Sequence, residues 1–474
     1  MGAGVTALCG RPSWACMTLP PPAPPARLVI DYRGLLRRAP VSDHSTPGRV
    51  PVRGLPAPHR KATNVSLVGA LCFVGIDWAA TTHAVCILGP DGRQIAAFTV
   101  EHTAAGFAGL ITRLGKLGER AGVPVAIERP DGRLVDALLE AGYPVVAVKP
   151  NAIKTWREGE VISGAKSDPG DAHVIAEYLR LRAHRLRAAT PLTEHTIALR
   201  TLSRTRSTLV QARVAASNQL AALLDAHWPG AKEVFADLAS PISLAFLHRY
   251  PSPAHATTLG EKRMAAFMTK HGYSGRRRAD ELLARLQTAP VGTTSPIVAE
   301  AVRDAVIATT TQLTALNTAI RDLDRSVAAH LHEHPDGAVF TSFPRVGLVN
   351  AAQIRAELAE HSAYTGPEAI AALAGLVPVT RASGKHHAVS FRWACNKRLR
   401  VALTTFADNS RHASPWAADI YRRARASGKD HPHAVRILAR AWVRVIWRCW
   451  INQQPYDPTR HGGATQLANH TAAA

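Results

Sequence analysis

Phe73-Val74-Gly75-Ile76-Asp77-Trp78 is the stretch on which the reading of the fold turns. An apolar run beginning at Val68 and closing on a carboxylate has the pattern of a buried strand that delivers an acid to the edge of a sheet. His83 to Leu88 reads as a second strand, Gly89-Pro90-Asp91-Gly92 as a turn and Gln94 to Val100 as a third, so the opening predicts an antiparallel meander. Thr103 can cap a helix running to about Gly118. Val123 to Ile127 then reads as a fourth strand, Leu134 to Leu139 as a helix, Val145 to Val148 as a fifth strand, and a further helix starts at Asp168. Three meander strands followed by alternating helix and strand imply one mixed sheet flanked by helices.

That layout is the architecture of RNase H-like nucleases, and four acids fall at its working positions. Asp77 closes the first strand, Glu128 closes the fourth, and Asp168 with Asp171 open the helix after the fifth. A spacing of three keeps Asp168 and Asp171 on one helix face. Converging carboxylates repel unless hard cations neutralise them, and two Mg²⁺ (or Mn²⁺) ions about 4 Å apart can activate an attacking oxygen and stabilise a leaving one in phosphodiester chemistry. Each acid alone also has a plainer reading. Asp168-Pro169-Gly170-Asp171 fits an N-cap, a proline at N1 and an acidic N3 residue; Asp77 fits an exposed strand end, and Glu128 a partner for Arg129. The conjunction of all four favours a catalytic metal site.

Outward from this domain, 69–190, the chain divides by composition. Residues 1–68 include Pro20-Pro21-Pro22-Ala23-Pro24-Pro25 and scattered arginines, and are expected to form a disordered tail. Region 191–334 reads as a helical coiled coil with an insertion at 226–298. Leu202, Leu209, Ala216 and Leu223 recur every seven residues, though Arg206 and Arg213 interrupt that seam. Val302, Val306, Thr309, Leu313, Leu316, Ile320, Leu323 and Val327 line a second long helix, and the two pair either within one chain or between protomers. Region 335–458 reads as mainly helical. It begins with Ser342-Phe343-Pro344-Arg345-Val346-Gly347, which resembles the tight turn of a helix-hairpin-helix with Arg345 in place of the usual glycine. Near its end, Arg436, Arg440, Arg444 and Arg448 lie opposite Val435, Leu438, Trp442, Val443, Ile446 and Trp450 on one amphipathic helix, a pattern that a solvated basic face explains. Residues 459–474 are expected to fray.

With 57 Lys and Arg against 35 Asp and Glu, the net charge of +22 makes a polyanion, nucleic acid first, the natural partner. The six cysteines, with no C-x-x-C pair, exclude a disulfide framework or a zinc ribbon. No apolar run approaches membrane-spanning length, so a cytoplasmic, nucleoid-associated protein is expected.

Gly75-Ile76-Asp77-Trp78-Ala79, Ala126-Ile127-Glu128 and Lys166-Ser167-Asp168-Pro169-Gly170-Asp171-Ala172 resemble the DEDD signature of the insertion sequence 110 family of transposases, with Ser167 where that family usually has threonine. Thr380-Arg381-Ala382-Ser383-Gly384-Lys385 and Cys395-Asn396-Lys397-Arg398-Leu399-Arg400 are similar to its C-terminal serine segment, Cys395 replacing a common glycine. The resemblance covers about residues 72 to 452. It implies a RuvC-like first domain, Ser383 as nucleophile assisted by metal on Asp77, Glu128, Asp168 and Asp171 across subunits, and DNA, both element ends and target, as substrate. It also implies a structured guide RNA and a dimer or tetramer. Arg381, Lys385, Arg392, Lys397, Arg398 and Arg400 surround the serine and are expected to hold backbone phosphates. A site-specific invertase of the same family, a metal-dependent nuclease without a covalent intermediate and a catalytically silent nucleic-acid-binding protein are the competing readings.

Overall fold

The computed structural model describes residues 67–129, 131–160, 167–383, 386–463 and 465, all within the unit from Lys61 to Ala474. Strand β1 (Phe73–Asp77) pairs antiparallel with β2 (Thr82–Leu88), and β2 pairs with β3 (Gln94–Glu101). Helix α1 (Ala104–Gly115) starts where the Thr103 hydroxyl accepts the Gly106 N–H. Strand β4 (Val125–Ile127) then returns parallel to β1; after α2 (Arg133–Glu140), β5 (Val145–Ala147) extends the sheet to the order β3-β2-β1-β4-β5. The central strands are apolar throughout because both faces of the sheet are covered. Leu110 and Leu114 of α1 and Leu134 and Leu138 of α2 pack on one face. The other face receives Ile153 of α3 (Pro150–Glu160) and Ile175 and Leu179 of α4 (Asp168–Arg182).

Helix α3 is an element the sequence reading lacks. Its residues are mostly polar and it buries little beyond Ile153, so no apolar period announces it. The expected tail, 1–68, lies outside the described residues as far as 66; Leu67, 3% exposed, already belongs to the core.

The middle of the chain is built on two long helices, α5 (Glu194–His227) and, after α6 (Pro229–Val234), α7 (Pro241–Arg249), α8 (Glu261–Lys270) and α9 (Ala279–Thr288), the 38-residue α10 (Pro296–Glu333). They pair antiparallel within the chain: Thr196 meets His334 just beyond α10, and ten residues along α5 Arg206 meets Asp324, ten residues back. The seam of α5 differs from the heptad expected. Leu199, Ser203, Ala216, Leu220 and Leu224 are buried, whereas Leu202, Leu209 and Leu223 are only half-buried. Two different clusters claim the two ends of the helix, so its buried stripe is not one continuous seam. Leu220 and Leu224 pack with the α6–α9 group, and Leu199 packs with the C-terminal region.

That region comprises α11 (Gly337–Thr341), α12 (Leu348–Ala356), α13 (Pro367–Leu373), strands β6 (Val379–Ser383) and β7 (His386–Ser390), α14 (Lys397–Ser410), α15 (Pro415–Ala426) and α16 (His431–Ile451). Val435, Leu438, Trp442, Val443, Ile446 and Trp450 of α16 are buried, against Phe343 and Phe406 among others. On the opposite face Arg440 and Arg444 both bond Glu368, so this part of the basic face is paired rather than simply solvated. At the turn before α12, Arg345 adopts φ +55°, the left-handed conformation a glycine would take there. Order continues beyond 458, because His461 packs on Trp416 with ring centroids 4.4 Å apart.

Candidate active site

Backbone geometry brings two of the four acids to neighbouring strand ends and the helix bearing the other two against the first strand. Parallel pairing of Ile76 with Ile127 brings Asp77 and Glu128, the next residue on each chain, to neighbouring strand ends, both half-buried. Helix α4 crosses β1 at Gly75. A methyl group there would overlap the Ala172 carbonyl oxygen and the Ala176 nitrogen, so only glycine admits the helix at this depth. Asp171, next to Ala172, is thereby held beside the strand that ends at Asp77. Asp168 lies one turn earlier on α4 and is exposed.

The cap of α4 is Ser167, whose side chain accepts the Gly170 N–H. Asp168 is therefore the first residue of the helix rather than its cap, which removes the capping explanation for that acid. The positive end of the helix does favour both carboxylates in its first turn, so they need no cation merely to be tolerated.

Asp171 is buried, and Arg157 from α3 donates to its Oδ1 at 2.7 Å. Among the described residues no group of three His, Cys, Asp or Glu side chains is arranged so that it could hold a metal ion. The donor chemistry nevertheless suits a hard divalent cation, being all carboxylate oxygen on adjacent strand ends and a helix start. Asp77, Glu128, Asp168 and Asp171 are the carboxylates that would hold such an ion, Asp171 being engaged by Arg157 in this structure.

Two features beside the acids are invisible in the sequence. Fully buried His83 accepts the Ala79 N–H at Nδ1, which leaves the proton on Nε2 to be donated to His102 Nδ1 at 2.8 Å. Burial, with His102 adding to it, keeps His83 below its ordinary pKa. The pair fastens the loop that follows Asp77. Arg129 lies over the Trp78 ring, 4.3 Å from its centroid, instead of pairing with Glu128, and its Nε donates to Asp131.

Ser383 is exposed at the end of β6 and paired in register with His386 of β7. This antiparallel hairpin lies in a region read from sequence as mainly helical. The expected phosphate-binding residues separate into two groups. Arg392 donates to the Val377 carbonyl; Arg400 donates to the Ala374 and Arg392 carbonyls and lies over Phe391. Both brace the foot of the hairpin. Lys397 and Arg398 are exposed at the start of α14, while Lys385 and the side chain of Arg381 fall outside the described part of the chain.

Asn396 caps α14 by accepting the Leu399 N–H and donates to Glu357, a buried carboxylate that Arg204 of α5 also engages through two bonds of 2.9 Å. Burial alone would raise the Glu357 pKa, but these donors hold it below the ordinary range. The start of α14 is thus anchored to the long helix through a charge no local pattern marks.

A family model described as a transposase, of the IS110 type, matches residues 74–229, and one described as transposase of the IS116/IS110/IS902 family matches residues 337–422. The "Mini-circle putative transposase for IS117" of Streptomyces coelicolor is 33% identical over 399 residues, 82% of this chain and 96% of that protein. The IS110 uncharacterized 43.6 kDa protein of the same species is 28% identical, covering 79% of this chain and 93% of its own length. For the IS900 uncharacterized 42 kDa protein of Mycobacterium paratuberculosis the identity is 26%, over 81% of this chain and 97% of the relative. No helix among the described residues is long and apolar enough to cross a membrane.

Proposed function

The chain belongs to the IS110 family of insertion-element transposases, and from that premise we propose that it breaks and rejoins DNA with Ser383 as nucleophile and a RuvC-like acidic rim as its metal site. The observation that supports the reading is the parallel pairing of Ile76 with Ile127, which brings Asp77 and Glu128 to neighbouring strand ends, while α4, with Asp168 and Asp171 in its first turn, crosses β1 at Gly75. A divalent cation bound to these carboxylates supplies positive charge where charge develops on phosphate oxygens.

Ser383 Oγ forms a bond to phosphorus as the bond from phosphorus to a deoxyribose oxygen breaks. The serine gives up its proton and the leaving oxygen takes one. Because the phosphoserine ester conserves the bond energy, a hydroxyl from another strand can reverse the step without ATP. The exposed position of Ser383 at a hairpin tip suits a nucleophile completed by the acids of a second protomer, in a dimer or tetramer. DNA is the substrate in this reading, with a structured guide RNA as the partner that the family resemblance carries.

The test is to trap the assembled protein on element-end DNA, denature it and map any DNA-linked peptide by mass spectrometry. An adduct at Ser383, with Ser383→Ala keeping DNA affinity but losing strand exchange, is the expected result. Exchange without an adduct would leave the chemistry to the carboxylates and make the protein a metal-dependent nuclease.

A further inference from the structure

Beyond the hairpin lies an aromatic side chain with no structural task to match its exposure. Trp393 is 75% exposed, although tryptophan ordinarily buries a large area. Its ring meets Phe391 at 83° with centroids 5.0 Å apart. Phe391 in turn carries two guanidiniums, Arg400 at 4.3 Å and Arg436 at 4.9 Å from its centroid. Phe391 is therefore occupied and Trp393 is the open ring.

The surroundings are cationic. Lys397 and Arg398 are exposed a few residues on. Two acids of this region are already neutralised, Glu357 by Arg204 and Glu368 by Arg440 and Arg444. A second copy of a chain carrying +22 would bring like charge to this patch, whereas a nucleic-acid strand brings both phosphates and flat bases.

We propose that Trp393 is a stacking platform for an unpaired stretch of the DNA strand that passes Ser383, with Lys397 and Arg398 on its phosphates. In an intact duplex both faces of each base are covered by neighbouring bases, so an indole can take a base only where the stack is interrupted. Arg392 reaches back to the Val377 carbonyl, which puts Trp393 at the foot of the hairpin whose tip bears Ser383. The stacked base is accordingly expected a few nucleotides from the scissile phosphate rather than next to it.

The proposal rests on the DNA-processing function above, so the test reads binding rather than catalysis. The full chain and its Trp393→Ala and Trp393→Phe variants, all carrying Ser383→Ala, are titrated with a dye-labelled duplex and with the same duplex bearing a six-nucleotide gap. Expected is a loss of about tenfold or more for Trp393→Ala on the gapped DNA alone, near-complete retention by Trp393→Phe, and a photocrosslink from 5-iododeoxyuridine in the gap to Trp393. Equal affinity of all variants, an equal loss on both DNAs, or crosslinks only elsewhere would overturn it. Stronger competition by an oligoribonucleotide would transfer the platform to RNA, and a smaller assembly of Trp393→Ala without DNA would make it a self-interface; either overturns the DNA assignment. A Trp393 effect on gapped DNA with no Ser383 adduct in the wild type would sink the nucleophile alone.

Discussion

Single residues carry the active-site argument, and two of them separate placement from chemistry. Asp77→Asn and Asp171→Asn each preserve size and remove one charge, so strand exchange should vanish while the fold survives. Losing the charge opposite Arg157 should cost Asp171→Asn about 1 kcal/mol or less, because Arg157 remains partly exposed and the amide oxygen can still accept its N–H. Strand-exchange assays beside thermal melts check both halves of that statement, and full activity in either variant would remove that acid from the site. Gly75→Ala makes the opposite demand. It touches no charge, yet its methyl must displace the α4 backbone, so a stability loss of about 1–3 kcal/mol together with loss of exchange is expected. Denaturant unfolding measures it, and a silent Gly75→Ala would mean that α4 need not sit so close.

Elements answer to what packs on them rather than to their own repeat. The α10 residues Leu316 and Leu323 belong to the apolar stripe read from sequence, and Leu316 packs against the cluster that includes α6–α9. Because α5 and α10 pair within one chain, Leu316→Asp with Leu323→Asp should destabilise the folded chain itself, by roughly 2–4 kcal/mol, with any loss of subunit assembly following from that. Guanidinium unfolding combined with sedimentation distinguishes the cases: unchanged stability with weakened assembly would place the stripe between protomers. On α5 the repeat misleads for an identifiable reason. Arg206, on the expected apolar seam, finds Asp324 across the pair, so a charged residue occupies a contact position without breaking the packing.

Across the whole molecule, a buried polar cluster joins the long helices to the C-terminal core. Arg355, fully buried, donates to Asp336 and Glu360, and His334 Nδ1 accepts the Asp336 N–H, so Nε2 carries the proton toward the Thr196 hydroxyl. Burial first, then the Arg355 guanidinium, lowers the His334 pKa to about 4. The unfolded chain therefore binds more protons than the native one between about pH 6.5 and 4. The His334 contribution to stability is complete above that window and is lost as pH falls through it. His334→Asn keeps an acceptor for the Asp336 amide but cannot titrate, so its melting temperature should fall less between pH 7 and 5 than that of the wild type. Equal slopes would show that other groups govern the acid limb.

The sequence by itself determined the strand that ends at Asp77, the mixed sheet, the long helices and the residue types that mark the family, because apolar period, turn residues and short motifs are local properties. Tertiary structure alone decided that α4 lies against Gly75, that Ser167 rather than Asp168 caps it, and that Arg157, His83 and Glu357 attend the site and the start of α14. It also decided that Arg392 and Arg400 brace the hairpin while Lys397 and Arg398 face solvent. Those contacts join residues far apart in the chain, or choose between partners that local chemistry allows equally, and only the packed backbone makes that choice.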